Sequence, residues 1–483
     1  MKSEREQQLM EQAYAEIDKY QDLVNRDRYR LRYHLMPPVG LMNDPNGLID
    51  WNGTYHVFYQ WMPFRTGHGA KFWGHYTSPD LVHWQSAPIA LAPSEWYDKN
   101  GCYSGSAVDH EGKLVLFYTG NVKDEQGNRQ TYQCMAVSED GLHFTKKGIV
   151  ITLPDGYTAH FRDPKVWRKD DQWYMIVGAQ SESGDGKAVL FRSTDLFQWE
   201  HLGPIAGGNS NWLGPFGYMW ECPDVFPLDG QDVLIVCPQG LKPDGMRYQN
   251  VYQSGYFVGH LDYERTEFLH GPFEELDRGF EFYAPQTMLD RHGRRILIGW
   301  MGVPDQDEDR QPTVRHRWVH ALTLPRELRL VDGKLRQTPV KELKQLRKQK
   351  VAYRNVAIVN ELRSWPGIEG DAIELRLDNI ELFGSMLEIH LRHAARLVYN
   401  GDEGVLTLER KSFVNGLTEK RQCRLPRLRS LHLFLDTSSL ELFVNDGEET
   451  FTARFFPHPD DRTILFGTHG HLHMDIEKWD LLR

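Results

Sequence analysis

Cysteine is scarce in this 483-residue sequence, and its pattern excludes two kinds of small scaffold. The chain has 5 cysteines, an odd number, and no two of them have the CxxC spacing. A disulfide framework needs an even set, and a thiolate zinc site needs closely spaced pairs. We therefore expect free thiols at Cys102, Cys134, Cys222, Cys237 and Cys423.

Positive charge is also in deficit, since 56 Lys and Arg face 67 Asp and Glu and the formal net charge is -11. Proteins that bind nucleic acid concentrate Lys and Arg against the phosphates, so this balance argues against a nucleic-acid partner. Long apolar runs are missing as well. No stretch approaches the roughly 18 apolar residues of a membrane helix. The opening segment MKSEREQQLMEQAYAEIDKY lacks the apolar core of a signal peptide, and we expect a cytoplasmic protein with no membrane contact.

Several motifs that carry known chemistry are missing from the sequence. There is no GxGxxG, P-loop, GxSxG or HExxH pattern, which leaves nucleotide-binding, serine-hydrolase and zinc-protease functions without support. The alternating histidines of HGHLH (His469, His471 and His473) could bind a metal, but a polar strand face explains them more simply. We expect no metal and no cofactor.

What the sequence does contain is a repeat. Five strand-like runs each follow a turn-rich segment, as expected for the second strand of a hairpin. Their starts lie 59, 59, 60 and 62 residues apart, and a fixed period of this size indicates a propeller, a solenoid or an array. The five runs are YHVFYQW from Tyr55, LVLFYTG from Leu114, WYMIVGA from Trp173, VLIVCPQ from Val233 and RILIGWM from Arg295.

The repeat predicts an all-β protein, a five-bladed β-propeller followed by a C-terminal β-sandwich. The sandwich is indicated by the alternating strands near Leu440 to Val444 and by their NDG turn. The alternative is chance spacing within an ordinary sandwich. We predict a helical arm over residues 1–30, the propeller over 31–338, a basic linker helix over 339–350 and the sandwich over 351–483.

Five residues occupy the same offset, about ten residues before each run, where the innermost strand of a blade should begin. Equivalent positions on inner strands converge on the central channel, so residues far apart in the chain should meet at one mouth. Three of the five are carboxylic acids. The residues are Asp44, Ser104, Asp163, Glu221 and Gln286.

Converging carboxyl groups are the usual equipment for cleaving a glycosidic bond. Arg162 precedes Asp163, and an adjacent guanidinium, if turned toward Asp163, would favour the ionised carboxylate. Glu221 stands among Trp220, Cys222 and Pro223, whose low polarity would favour a protonated general acid. Taken singly, each acid could instead belong to a turn, a strand-edge ion pair or a capped loop.

Five segments in order, LMNDPNGL, YSGSAV, FRDP, ECPD and LTLPREL, give the chain a resemblance to family 32 of the glycoside hydrolases. This family contains invertases, fructan hydrolases and sucrose-6-phosphate hydrolases. The resemblance implies that Asp44 is the nucleophile, that Glu221 is the acid and then the base, and that Asp163 stabilises the transition state. It also implies cleavage with retention, for which the nucleophile and acid carboxyls should lie about 5 to 5.5 Å apart.

The resemblance further implies that the fructose ring is bound by Asn43, Gln60, Ser104 and Arg162. We also predict sugar contacts from Leu41, Met42, Trp73, Tyr103 and Trp300. The partner is thus a small sugar. The oligomeric state, monomer or homodimer, is left open.

One departure from the family concerns His68, which stands where many members have a tryptophan that lines the pocket. Together with Arg65 and Lys71 it forms a local basic cluster, and the segment resembles the branch that cleaves sucrose 6-phosphate. Phosphate needs donors of this kind, although solvated surface charge is an equal alternative. The competing functions are a plain invertase, a fructan exo-hydrolase, an arabinan-cleaving propeller, a transferase and a sugar-binding propeller without activity.

Overall fold

Hairpins with tight turns build the repeat into blades. A computed structural model describes residues 3–210 and 212–481. In it, each of the five predicted runs is the second strand of an antiparallel hairpin and pairs with the strand before it. The prediction of a five-bladed propeller is confirmed, and the inner strand of every blade is the strand that the common offset indicated.

Successive blades are formed by successive segments of the chain. Blade 1 comprises β1 (Gly40–Trp51), β2 (Thr54–Met62), β3 (Phe72–Ser78) and β4 (Gln85–Ser86). Blade 2 comprises β5 (Cys102–His110), β6 (Lys113–Lys123), β7 (Arg129–Ser138) and β8 (Thr145–Thr152). Blade 3 comprises β9 (Tyr157–Lys169), β10 (Gln172–Ser181), β11 (Gly186–Ser193) and β12 (Glu200–Gly207).

Blade 4 comprises β13 (Met219–Leu228), β14 (Gln231–Gln239), β15 (Gly255–Asp262), β16 (Glu267–His270) and β17 (Glu274–Glu275). Blade 5 begins with β18 (Tyr283–Leu289) and β19 (Arg295–Trp300), and after a long connection it ends with β21 (Arg326–Val331) and β22 (Lys334–Pro339). That connection holds two 3-10 helices (Glu308–Arg310 and Pro312–His316) and β20 (Trp318–Val319). Because β20 pairs in parallel with the start of β1, the fifth blade's connection is tied to the first blade.

The N-terminal segment forms the α-helix α1 (Glu4–Asn25), whose first turn is capped by the Ser3 hydroxyl, which accepts a hydrogen bond from the Glu6 amide at 3.2 Å. Its buried face carries Leu9, Met10 and Ala13. These side chains join the largest hydrophobic cluster together with residues of blade 1, so the helix packs on the propeller.

The predicted linker helix over 339–350 is wrong in kind and in length. A 3-10 helix spans only Lys341–Leu346, and a strand begins at Arg347. A 3-10 helix has three residues per turn, and the buried Val340, Leu343 and Leu346 have that spacing. Arg347 then leaves the helix because its guanidinium bonds both carboxylate oxygens of Glu374, at 2.6 and 2.5 Å.

The sandwich is a ten-stranded arrangement around its own hydrophobic cluster. The long strand β25 pairs with β29 along its first part and with β26 along its last part, and this change of partner divides the strands into two layers. The strands are β23 (Arg347–Val359), β24 (Leu362–Arg363), β25 (Ile373–Leu391), β26 (Ala395–Asn400), β27 (Val405–Lys411), β28 (Thr418–Arg424), β29 (Leu431–Asp436), β30 (Ser439–Val444), β31 (Glu449–Arg454) and β32 (Ile464–Leu481).

Buried charges join the propeller to the sandwich. His34, which precedes the first blade, lies 2.9 Å from Asp436 and 2.9 Å from Glu441, both in the sandwich. Arg326 of β21 donates to the same Glu441 at 2.7 Å and lies 3.2 Å from Asp277. No helix in the described part of the chain is long and apolar enough to cross a membrane.

Candidate active site

Every inner strand of the propeller is interrupted at the same place. A register shift lies between Met42 and Pro45 in β1, and corresponding shifts lie in the other four inner strands. A bulge of this kind kinks a strand and re-aims its side chains. The four other shifts lie between Cys102 and Gly105, Arg162 and Lys165, Glu221 and Asp224, and Tyr283 and Gln286.

Local sequence explains these bulges. Prolines follow the aligned positions in NDP, RDP and ECP, and proline, which has no N–H to donate, is tolerated at bulges and on edge strands. Asp163 and Cys222 adopt left-handed conformations, with φ of 69° and 47°. Non-glycine residues rarely adopt this conformation, and it clusters at functional sites. The bulges therefore turn acidic side chains toward the channel axis.

Asp44 lies at the centre of the cavity and is held by two neutral donors. Ser104 Oγ donates to its Oδ2 at 2.5 Å, and Asn43 Nδ2 donates to its Oδ1 at 3.0 Å. Burial raises the pKa of Asp44, while the hydrogen bond from Ser104 opposes that rise and the charge of Glu221 adds to it. Both oxygens of the carboxylate are thus oriented by neutral donors.

Glu221 is surrounded by donors, which differs from the apolar setting expected from its sequence neighbours. Arg162 donates to Oε1 from Nε at 2.9 Å and from Nη2 at 2.6 Å. Gln239 Nε2 and the Tyr283 hydroxyl donate to Oε2 at 2.9 and 2.6 Å. Trp220, which is fully buried, points away from this carboxylate into the core between the blades.

Asp163 is the third acid, and its environment also departs from expectation. Its Oδ2 accepts the Cys222 amide at 3.0 Å. Burial raises the pKa of Asp163 to about 7, and the charge of Glu221 adds to this effect, whereas Arg162 only opposes it. The guanidinium of Arg162 is turned to Glu221 and not to Asp163, so the condition under which it would favour an ionised Asp163 is not met, and its charge only partly offsets the effect of burial.

The three acids line one cavity of about 260 Å³. Other predicted site residues that line it are Asn43, Gln60, His68, Lys71, Tyr103, Ser104, Arg162 and Trp300. The fifth aligned residue, Gln286, does not. Its Oε1 accepts a hydrogen bond from the Leu48 amide at 2.9 Å, and its Nε2 donates to the Gly105 carbonyl at 2.8 Å. These bonds connect the inner strands of blades 5, 1 and 2.

Three predicted sugar contacts lie behind the cavity wall. Leu41, Met42 and Trp73 have 0% of their surface exposed and belong to hydrophobic clusters of the core. Leu41 and Met42 precede the bulge, so the turn of the chain that aims Asp44 inward leaves them among core residues. The Trp73 indole donates to the Tyr103 carbonyl at 3.0 Å and supports the wall from behind.

The side chains of the predicted basic cluster, Arg65, His68 and Lys71, form hydrogen bonds with one another and with neighbouring residues. The exposed Arg65 donates to the carbonyl of His68 and does not line the cavity. Lys71 Nζ donates to Asn43 Oδ1 at 2.6 Å and lies 2.8 Å from His68 Nδ1. The other ring nitrogen of His68 lies 3.0 Å from Glu308. Lys71 thus supports Asn43, the donor to Asp44.

The sequence analysis did not predict several residues that line the cavity or form hydrogen bonds with its side chains. Tyr283 directly precedes the bulge of blade 5, as Arg162 precedes the bulge of blade 3. Gln239 ends the second strand of blade 4, and Glu308 lies in the long connection of blade 5. Arg129 begins the third strand of blade 2, a position that the repeat does not mark.

All 5 cysteines are free, and Cys222 lies at the site, with its sulfur 3.7 Å from Asp44 Oδ2 and 3.6 Å from Asp163 Oδ2. Within residues 3–210 and 212–481, no three His, Cys, Asp or Glu side chains are grouped so that they could hold a metal ion.

Comparison with known proteins agrees with this geometry. Residues 34–339 match the glycosyl hydrolases family 32 N-terminal domain, and residues 342–480 match the glycosyl hydrolases family 32 C-terminal domain. The chain is 54% identical to the sucrose-6-phosphate hydrolase of Bacillus subtilis (strain 168) over 477 residues, which cover 99% of both proteins.

Two solved structures are similar over almost the whole chain. The sucrose-6-phosphate hydrolase from Lactobacillus gasseri has a TM-score of 0.86 and 32% identity, with 97% of this chain and 96% of that chain covered. A variant of the Bombyx mori GH32 beta-fructofuranosidase BmSUC1, in complex with sucrose, has a TM-score of 0.85 and 35% identity, with 98% of each chain covered. With three carboxyl groups on one propeller cavity and both family domains matched, this chain belongs to glycosyl hydrolase family 32 and is a glycoside hydrolase.

Proposed function

We propose that this protein hydrolyses the terminal β-fructofuranosyl bond of sucrose 6-phosphate and of sucrose, by two displacements with retention. The observation that carries the proposal is the pair of carboxylates with contrasting partners. Asp44 is bonded by neutral donors, and Glu221 is bonded by a guanidinium, an amide and a phenol. A retaining glycosidase needs two carboxyl groups in different roles.

In the first displacement, Asp44 attacks the anomeric carbon of the fructosyl unit and the bond to the leaving oxygen breaks. Glu221 gives its proton to that oxygen, so the released sugar leaves as an alcohol and a fructosyl ester of Asp44 remains. Ser104 and Asn43 hold the two oxygens of Asp44, which leaves it one orientation from which to attack.

In the second displacement, water attacks the same carbon and Glu221 takes its proton, which frees fructose and restores Asp44. Arg162, Gln239 and Tyr283 hold the Glu221 carboxylate in place through both steps. Asp163 then takes the remaining role, which is to accept hydrogen bonds from fructose hydroxyls as positive charge develops on the ring. Its fixed carboxylate, bonded to the Cys222 amide, suits that role.

The phosphorylated substrate is supported by the relatives, two of which are sucrose-6-phosphate hydrolases, and by the concentration of cationic side chains at the cavity. A sugar phosphate is an intracellular metabolite, since its charge keeps it from crossing membranes, and we propose a cytoplasmic location on that ground. Cleavage of unphosphorylated sucrose follows from the shared fructosyl half of both sugars.

One experiment tests the proposal. The purified protein is incubated separately with sucrose 6-phosphate, sucrose and inulin, and released fructose is measured as kcat/KM. We expect sucrose 6-phosphate to be the best substrate, sucrose the second and inulin the poorest. A higher kcat/KM for inulin would identify a fructan exo-hydrolase instead, and equal values for the two sucroses would indicate a plain invertase.

Asp44→Asn and Glu221→Gln serve as controls in the same assay. Loss of the nucleophile should lower kcat by at least about 10³-fold, because the carboxylate proposed to form the ester is gone. Circular dichroism should show that both variants fold. Full activity in either variant would remove the role proposed for that residue.

A further inference from the structure

Arg129 is a cation at the catalytic cavity. It begins β7, directly after the turn that closes the β6–β7 hairpin, and it lines the same cavity as the three acids. Within the described ranges 3–210 and 212–481, no carboxylate lies within ion-pair distance of its guanidinium. Its guanidinium carbon lies over the Tyr103 ring, 5.8 Å from the ring centroid.

The other cations of this cavity are already engaged. Arg162 is paired with Glu221 at 2.6 Å. Lys71 donates to Asn43, and His68 shares the carboxylate of Glu308 with His320. Burial acts to raise the pKa of Glu308, but the hydrogen bonds from His320 and His68 outweigh it and hold that pKa low. An anionic Glu308 therefore balances the predicted basic cluster and would repel a phosphate beside His68.

Arg129 also lies on the appropriate side of the reaction. The leaving group and the nucleophile occupy opposite faces of the anomeric carbon in an in-line displacement. Lys71 is connected through Asn43 to the nucleophile, Asp44. Thr131, two residues further along β7, donates to the Phe161 carbonyl at 2.6 Å, and the adjacent Arg162 bonds Glu221, the group proposed to protonate the leaving oxygen. In sucrose 6-phosphate the leaving group is the glucose that carries the phosphate.

We propose that Arg129 binds the phosphate of the glucose 6-phosphate leaving group and is the residue that sets the preference for the phosphorylated disaccharide. The guanidinium offers two parallel donors to a phosphate, and it lies over the Tyr103 ring at the cavity. This inference rests on the proposed fructosidase function and assigns its specificity to one side chain outside the predicted cluster of Arg65, His68 and Lys71.

The test compares kcat/KM for sucrose 6-phosphate with kcat/KM for sucrose in the wild type, Arg129→Gln and Arg129→Lys. We expect the ratio of the two values to fall by roughly 10- to 100-fold in Arg129→Gln, as for loss of a bidentate charge-assisted contact. Arg129→Lys, which keeps the charge but not the planar fork, should recover part of the ratio. Inhibition by glucose 6-phosphate, measured against inhibition by glucose, should weaken in parallel.

Lys123→Gln is the matched control, because Lys123 pairs with Arg129 across the same hairpin, is exposed and does not line the cavity. It removes the same charge and should leave the ratio unchanged. An unchanged ratio in Arg129→Gln, or an equal fall in Lys123→Gln, would overturn the inference. So would a wild-type ratio near one, although the fructosidase function would then stand. Absence of activity on all fructosides in the wild type would overturn the proposed function itself.

Discussion

The guanidinium of Arg162 donates two hydrogen bonds, at 2.9 and 2.6 Å, to one oxygen of Glu221, a residue 59 positions further along the chain. Its neighbour in sequence, Asp163, receives none of them. The two residues come from the inner strands of blades 3 and 4, and both lie next to the bulges that turn the chain toward the axis. The cation therefore supports the acid across a blade boundary.

This pairing predicts that Arg162→Lys will behave as a loss of function. A lysine keeps the charge but cannot donate from two nitrogens to Glu221, so we expect kcat to fall by at least about tenfold. In the double variant with Glu221→Gln, the further loss should be small, because the two groups act as one unit. Arg192→Lys, at an exposed pair with Glu200, is the control and should keep full kcat. Additive losses would contradict the coupling.

The role of Glu221 as an acid can be separated from a structural role by the leaving group. In Glu221→Gln, kcat for sucrose should fall by roughly 10²- to 10⁴-fold, the usual contribution of general acid catalysis. Fructosyl fluoride departs without a proton, so its conversion to the fructosyl-enzyme should be affected much less. Stopped-flow measurement of fluoride release would show this as a burst. Equal losses for both substrates would indicate that Glu221 only organises the cavity.

Lys71 is predicted to act by positioning. Its ammonium donates to Asn43 Oδ1, which leaves the amide nitrogen of Asn43 to face Asp44. In Lys71→Met we expect kcat to fall roughly tenfold, the scale of one hydrogen bond to a charged group, with a smaller change in KM. Lys113→Met, at an exposed lysine paired with Glu139, is the control.

The pH dependence of this effect is a second readout. Burial lowers the pKa of Lys71 to about 7, although the charges of Asp44 and Glu308 oppose the shift. The ammonium is therefore present below pH 7 and is lost as the pH rises above it. The ratio of wild-type kcat to Lys71→Met kcat should be largest below pH 7 and should shrink above it. A ratio that is constant from pH 5.5 to 8.5 would contradict the positioning role.

The joint between propeller and sandwich should lose stability in alkali. Burial acts to lower the pKa of His34, but hydrogen bonds to Asp436 and Glu441 outweigh it and raise the pKa to about 9 from 6.5. A raised histidine pKa stabilises the fold fully below pH 6.5, and this stabilisation disappears as the pH rises through about 9. The contribution is on the order of 3 kcal/mol at most.

Thermal unfolding followed from pH 6 to pH 9.5 would measure this dependence. The apparent Tm of the wild type should fall across the interval, and that of His34→Gln should fall less while starting lower. His83→Gln removes an exposed histidine that contacts Asp80 and should leave the profile unchanged. Parallel profiles for the wild type and His34→Gln would show that this histidine does not couple the domains to pH.

Much of the fold could be predicted from the sequence, because a propeller repeats one hairpin pattern. Each copy of that pattern contains a turn followed by a run of strand-forming residues. The same alignment found Asp44, Asp163 and Glu221, since equivalent positions on inner strands share one channel. It failed for Gln286, whose side chain links inner strands instead of entering the cavity. It also failed for the linker, where three buried residues at a spacing of three formed a short 3-10 helix.

The sequence by itself determined the period of the repeat, the number of blades and the acids at the common offset, because these depend on local pattern and on residue type. Only the tertiary structure decided which partner each side chain meets. Arg162 bonds Glu221 rather than Asp163, Lys71 supports Asn43, and Arg129 lines the cavity without an ion-pair partner among the residues that the structure describes. Side-chain contacts across blades depend on bulges and on the approach of distant strands, and no spacing along the chain encodes those distances.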